Sequence, residues 1–469
     1  LGGILNLKKT KIICTIGPSV SNYEMIAKLV NSGMDVARLN FSHGTHSEHL
    51  KVIKTIREVS EDTNKRVGIL LDTKGPDIRI GEFNNTIRIF TGQEYVFSSK
   101  KQNGIIQLQN DISQFLKSGD RVLIDDGTLI FTVVKIEDGN IYLKALNEGY
   151  LRQKVSINIP GDAYCPSAVT KNDIVDIKFG VKNDVDFIAL SFASTKEDIL
   201  KARELINGEQ WIISKVESNY GIKNINDLIE YSEGIMVARG DLGVEIDLSR
   251  IPSVQRSIIE KCNAKGRPVI VATQMLNSMI ENPRPTRAEV EDIASAIYSG
   301  ADAVMLSGET AIGKYPIESV EMMVKVAIET EKELKPRTDY GPSKRIADVI
   351  SSLVAKAVLL SEVKAIVTST RSGYTACMVS RHKLSVPTYG MTNNPATARK
   401  LSLVWGIREV HLNREKEGIS DGAFHAAKYL KSEGLQDSDL FIFTAGVSNS
   451  KKQRTNLLEI REIGEVLSS

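Results

Sequence analysis

Cysteine is scarce in this chain. Its four, Cys14, Cys165, Cys262 and Cys377, stand far apart with no CxxC pair. That excludes a thiolate metal motif and points to reduced, intracellular thiols. Long apolar runs are also missing, none approaching the roughly 20 residues that a membrane-spanning helix needs. No signal-peptide pattern opens the printed sequence, so a cytoplasmic location without a membrane partner is expected. Charge of one sign is not in excess either. With 60 Lys and Arg against 58 Asp and Glu, the net charge is +2, which gives no electrostatic reason to expect a nucleic-acid partner.

What is present is an ordinary soluble composition, 42% hydrophobic and 25% charged over 469 residues, long enough for two to four domains. From Lys11 strand-like and helix-like segments alternate. The strand-like runs are 11–17, 36–42, 67–73, 185–192, 211–217, 234–240, 268–274 and 301–307. Amphipathic stretches such as 46–64, 196–206, 253–265 and 287–299 separate them. This rhythm predicts a (β/α)8 barrel. After Asp72-Thr73-Lys74-Gly75-Pro76 the helix signals vanish until about Thr170. Short alternating strands with turns at Asp125-Asp126-Gly127 and Asp138-Gly139-Asn140 predict a small all-β domain inserted in a barrel loop. A second break at Lys335-Pro336-Arg337 leads into an open α/β domain, with 457–463 as an edge strand. The expected division is therefore 1–73 and 158–335 for the barrel, 74–157 for an inserted β lid, and 336–469 for a C-terminal α/β domain.

A barrel of this kind builds its active site at the C-terminal ends of the strands, and here nearly every strand ends polar. Residues i and i+2 of a strand share a face, so Lys215 is expected to point with Glu217, and Arg239 with Asp241. Buried charge is costly unless it is paired or placed on a metal or an anion. Structural ion pairing explains one such strand more easily than a pattern that recurs along the chain. Glu217 and Asp241 are hard oxygen ligands suited to Mg²⁺ or Mn²⁺. Arg38, Lys215 and Arg239 supply positive charge for a phosphate or carboxylate, and the turn at Gly240 would aim backbone N–H groups at an anion. His43 apart, the cluster holds no histidine, and no Ser or Cys triad is seen. Metal-assisted chemistry on a phosphorylated or carboxylated anion fits best.

Six long runs then resemble the pyruvate kinase family, in order and in register from Lys11 to the end of the chain. They are Arg38-Leu39-Asn40-Phe41-Ser42-His43-Gly44, Asp72-Thr73-Lys74-Gly75-Pro76-Asp77-Ile78-Arg79, Ile213-Ser214-Lys215-Val216-Glu217, Ala238-Arg239-Gly240-Asp241-Leu242-Gly243, Ala272-Thr273-Gln274-Met275-Leu276 and Met305-Leu306-Ser307-Gly308-Glu309-Thr310-Ala311. The resemblance implies phosphoryl transfer from phosphoenolpyruvate to ADP. It assigns Glu217 and Asp241 to Mg²⁺, and Arg38 and Lys215 to the transferring group. Gly240 goes to the substrate carboxylate and Thr273 to protonation of the enolate. It further gives Asn40, Ser42, Asp72 and Thr73 to a potassium ion, and Asn40, His43 and Arg79 to the nucleotide. A homotetramer with a phosphorylated effector is implied too, the effector at Thr370, Ser372, Gly373 and Thr375. Asp77 stands where the family commonly has Glu and where potassium-independent members tend to have Lys. A basic nucleotide contact common after the fourth strand is replaced by Thr195, beside Lys196.

Several segments also fit other motifs. Gly308 to Tyr315 nearly spells a P-loop, but Tyr315 replaces the metal-binding hydroxyl and Pro316 follows. His43, His46 and His49 look like a zinc cluster without an evident fourth ligand. An N-capped helix with no further role is the bland account of the segment after Thr370. At the level of function, the rivals are an aldolase-type Mg²⁺ enzyme on 2-oxo acids and a non-catalytic metabolite sensor. The lid insertion argues against the first, and intact Lys215, Glu217 and Asp241 argue against the second.

Overall fold

The computed structural model describes residues 8–83, 85–102, 104–161, 166–206, 208–411, 419–446 and 455–468. Cys165 lies outside them. Eight parallel strands close into a barrel: Lys11–Thr15, Val36–Asn40, Gly68–Asp72, Phe187–Leu190, Trp211–Val216, Gly234–Ala238, Val269–Ala272 and Ala303–Leu306. The last strand returns to the first, with Lys11 opposite Ala303. Apolar residues fill nearly every strand position because both faces are covered, the inner by neighbouring strands and the outer by helices.

The strands are shorter than the apolar runs predict, and the reason is the same at several of them. Their last polar residues leave the ladder to face the barrel mouth. Thr273 and Gln274 follow the strand Val269–Ala272 at φ of 71° and 55°, a left-handed stretch that no regular strand tolerates. Arg239, expected on strand 234–240, instead opens the short helix Arg239–Glu245.

Helix starts follow a local rule. Thr45, Thr170, Thr195 and Thr286 each cap a helix and accept from the N–H three residues on, while Glu48, Asp173, Asp198 and Glu289 reach back to the cap. These capping boxes fix where the chain turns from the barrel mouth into each helix. Tyr315 and Pro316 open the helix Pro316–Glu331, separated by a break from the four-residue helix Gly308–Ala311. A P-loop would need that connection to be continuous.

Between the third and fourth barrel strands stands a six-stranded sheet beside the two-stranded pair Ile87–Ile89 and Gly149–Leu151. It has its own core around Phe97, Phe131 and Leu151. Asp125, Asp126 and Gly127 turn at φ of 57°, 53° and 83°. Beyond the barrel, a five-stranded sheet runs in the order Ile407–His411, Thr388–Thr392, Ala365–Ser369, Leu440–Ala445 and Leu457–Glu462, the last antiparallel.

That C-terminal sheet domain docks on the barrel floor. An acid stands one residue before four of the strands and accepts a neighbouring strand's backbone N–H: Asp35 from Ile12, Asp186 from Ile69, Glu233 from Ile212 and Asp302 from Val269. Two of these acids are also paired with C-terminal bases, Asp186 with Arg399 at 2.6 Å and Asp302 with the buried Lys383 at 2.8 Å. Apolar contacts join Trp211 and Phe187 to Ala376, Leu401 and Val404 across the same seam. The mouth is left free for the lid.

Candidate active site

The barrel mouth and the lid enclose a cleft of about 530 Å³. Arg38, Asn40, Ser42, Thr73, Arg79, Lys215, Glu217 and Asp241, all expected from the sequence, line it. At its base Asp72, fully buried, holds two cations at once. Arg38 Nε donates to Asp72 Oδ2 at 2.6 Å, and Lys215 Nζ lies 3.0 Å from Oδ1. Burial alone would raise the Asp72 carboxyl, but Lys215 and Arg38 outweigh it and hold it below the usual carboxylate range. Lys215 also donates to Ser191 Oγ at 2.7 Å and pairs with Glu217 Oε1 at 2.9 Å. Three acidic neighbours outweigh burial and keep its ammonium charged, with a raised pKa.

Glu217 and Asp241 meet across adjacent strand ends. Glu217, 1% exposed, accepts the Phe192 N–H at 2.6 Å. Burial pushes both carboxyls up against the opposing Lys215, helped at Glu217 by the charge of Asp241 and at Asp241 by that of Asp126. A buried acid in contact with a partly buried one, both pushed toward the neutral form, is a donor set short of positive charge. A divalent cation fits that deficit. Among the described residues no group of three or more His, Cys, Asp or Glu closes on a metal-sized site. Most coordination positions at this pair are therefore left to water and substrate.

The remaining expected residues distribute as follows. Thr273 Oγ1 accepts the Gly240 N–H at 2.8 Å and donates to the Ala272 carbonyl at 2.6 Å, so the two residues form one unit beside the cleft. Asn40 Oδ1 accepts the Ser42 N–H, and Thr73 Oγ1 accepts that of Ser191. His43 is exposed, and its carbonyl accepts from His49 Nε2 at 2.9 Å. His46 is turned to Asp176 instead, so the rings of His46 and His49 point to separate partners. In the C-terminal domain Thr370 Oγ1 accepts the Gly373 N–H, Thr375 shares a hydrogen bond with Thr455 at 2.7 Å, and Ser372 is exposed. These lie together where the strand Ala365–Ser369 runs into the helix Tyr374–Ser380.

One expectation is corrected. Arg239 does not present charge to the cleft. Its guanidinium pairs with Asp292 at 2.6 Å and donates to the Thr273 carbonyl at 2.6 Å. Its role is to hold the left-handed turn that carries Thr273. The strand-face argument fails here because residue 239 is already helical.

Sequence reasoning missed Thr15, whose hydroxyl accepts Arg38 Nη1 at 2.9 Å. Its position at the true end of the strand Lys11–Thr15 was the available signal. Also missed were the lid groups Asp125, Asp126, Arg152 and Lys154 and the barrel residue Glu245, which line the same cleft. Burial and the nearby Asp241 push the Glu245 carboxyl up to about 8.

Comparison with known proteins agrees with this geometry. Residues 7–320 match the family model for the pyruvate kinase barrel domain, and 348–461 that for its alpha/beta domain. A pyruvate kinase of Geobacillus stearothermophilus is 41% identical, the match covering 98% of this chain and 81% of the relative. One of Sporosarcina psychrophila is 40% identical, covering 98% and 82%. A crystal structure of a pyruvate kinase from Cryptosporidium parvum superposes with a TM-score of 0.89 at 34% identity, over 97% of this chain and 96% of that one. The chain belongs to the pyruvate kinase family, and its activity is phosphoryl transfer from phosphoenolpyruvate to ADP.

Proposed function

We propose that the transfer takes place in the cleft between barrel and lid, with the network Arg38–Asp72–Lys215–Glu217–Asp241 as its centre. The observation that carries this reading is the bridging of Arg38 and Lys215 by one buried carboxylate, which fixes two cations over the same spot. A loose phosphoryl transition state needs positioning and positive charge more than it needs a base. Arg38 and Lys215 supply that charge to the transferring group, already oriented by Asp72, Thr15 and Ser191. Glu217 and Asp241 would hold Mg²⁺ or Mn²⁺, which would supply Lewis-acid stabilisation of the negative charge in the transfer. Thr273, held by Gly240 and by the Arg239-supported turn, orders the water that protonates the enolate, and the Gly240 turn receives the substrate carboxylate.

Asn40, Ser42, Asp72 and Thr73 would take K⁺, and Asn40, His43 and Arg79 the nucleotide. The lid excludes water, so that phosphoryl passes to ADP rather than to solvent. The division of the chain at 73/74, 157/158 and 335/336 goes with these roles. A phosphorylated effector is assigned to Thr370, Ser372, Gly373 and Thr375. A cytoplasmic homotetramer is the expected form. An exposed apolar stripe on the helix Ile346–Leu360, made by Ile346, Val349, Leu353 and Leu360, supports self-association. Among the described residues no helix is long and apolar enough to cross a membrane.

The test is ³¹P NMR of phosphoenolpyruvate with ADP, Mg²⁺ and K⁺ beside the wild-type chain and Glu217→Gln. Growth of ATP signals with the wild type and none with Glu217→Gln supports the cleft. Equal turnover by both sinks it.

A further inference from the structure

The residues after the fourth barrel strand bring no positive charge to the cleft. Thr195 is spent as the cap of the helix Lys196–Leu205, and Lys196 lies 3.8 Å from Glu197. Among the described residues neither lines the cleft. A nucleoside diphosphate still has to be held there, and charge-assisted contacts are the efficient way to hold its phosphates. The lid offers one. Arg152 lines the cleft with its side chain 65% exposed and pairs with Asp125, Nη2 reaching the two carboxylate oxygens at 3.0 and 2.7 Å. Among the described residues its Nε and Nη1 make no hydrogen bond. Of the other cations on the rim, Arg79, already given to the nucleotide, is held by Asp77 and the Lys154 carbonyl, Lys154 pairs with Glu82, and Lys74 lines the cleft as well.

The pair is also well placed. The left-handed turn at Asp125 and Asp126 is tied to the strand side by Asp125 N–H to the Ser156 carbonyl at 3.0 Å and by Ser156 Oγ to Asp126 at 2.9 Å. The turn faces the barrel mouth, where a Cβ on Gly127 would stand 3.9 Å from Val244 of the helix Arg239–Glu245. That helix also carries Asp241. Asp125 thus lines the cleft, with negative charge, on the lid turn that approaches the helix carrying Asp241.

We propose that Arg152 is the lid's grip on the nucleotide diphosphate, and that its pair with Asp125 is the resting contact which the nucleotide displaces. This rests on the cleft being the phosphoryl-transfer site. Arginine suits the task because its planar fork exchanges a carboxylate for a phosphate without losing geometry.

The test is steady-state kinetics on the full chain for Arg152→Met, Arg152→Lys and Asp125→Asn, with Glu217→Gln as reference. Asparagine is tolerated at the positive φ of residue 125. Arg152→Met raises KM for ADP about tenfold and moves KM for phosphoenolpyruvate less than about twofold, as for one charge-assisted contact in a partly solvated cleft. Arg152→Lys falls between. Asp125→Asn frees the arginine and lowers KM for ADP by about threefold. Opposite signs for the two halves of one ion pair are what a purely structural latch cannot give. If both variants raise KM for ADP, or if Arg152→Met leaves it unchanged while Glu217→Gln abolishes turnover, the grip is refuted and the cleft stands. If Glu217→Gln turns over normally, the cleft reading fails first.

Discussion

His382 makes stability of the C-terminal docking seam depend on pH in a direction that can be worked out. Its ring is fully buried. Nδ1 lies 2.6 Å from the Arg337 carbonyl and so carries the proton, while Nε2 faces Ser351 Oγ at 3.3 Å and Arg381 Nε at 3.4 Å. The edge of Tyr340 closes the remaining side. Burial pushes the pKa from an ordinary 6.5 down to about 4, the Arg337 carbonyl opposing and the Arg381 guanidinium adding to the fall. A proton therefore binds the unfolded chain before the folded one. The contribution is fully present above pH 6.5 and is lost as pH falls toward 4, at about 1.4 kcal/mol per pH unit. Between pH 6.5 and 5 that is ~2 kcal/mol. His382→Asn removes the titrating group, so the wild-type minus variant difference in unfolding free energy should shrink by ~2 kcal/mol over that interval. Urea unfolding at pH 7.5, 6.5 and 5.0 reads it through Trp211 and Trp405, the chain's two tryptophans. Trp211 lies in the seam cluster, and Trp405 lies under the buried Lys383 ammonium. Parallel pH profiles for wild type and variant would refute a buried neutral imidazole.

Three further outcomes are expected. Lys215→Met lowers kcat by about 10³-fold or more, because positive charge aimed at the transferring group is the main catalytic term. It also destabilises the fold by roughly 3 kcal/mol by leaving Asp72 and Glu217 buried without their shared cation, which a coupled assay and thermal melting measure separately. Withdrawal of K⁺ lowers turnover of the wild type, and Asp77→Lys makes turnover independent of K⁺; equal K⁺ dependence in both would remove residue 77 from that role. Leu353→Lys, in the middle of the exposed stripe on the helix Ile346–Leu360, reduces the assembled mass seen by sedimentation velocity at micromolar concentration, and an unchanged mass would place the subunit contact elsewhere.

The pattern of what was legible has a physical origin. Strand ends of a barrel converge on one mouth, so any polar residue at a strand end is near every other. Lys215, on the strand Trp211–Val216, and Glu217, the residue after its end, were readable from period alone. Thr195, read from the sequence only as the replacement of a basic residue, caps the helix Lys196–Leu205 in a Thr-x-x-Asp capping box, a signal the sequence also carried. The acids Asp35, Asp186, Glu233 and Asp302 could be placed one residue ahead of apolar runs, but the bases that answer two of them could not. Lys383 is 81 positions from Asp302, and Arg399 is 213 from Asp186.

Arg239 shows the limit most clearly. Local periodicity gives the direction of a side chain only while the residue stays in the assumed element, and it carries no information about a partner such as Asp292, 53 positions away. Reading charge along one strand therefore overcounts the cations available to a ligand, because some are consumed by acids from distant elements. The same reasoning run in reverse identifies Arg152. Its own side chain is 65% exposed where that of Arg239 is 9% exposed, so that cation remains exchangeable where Arg239 is not.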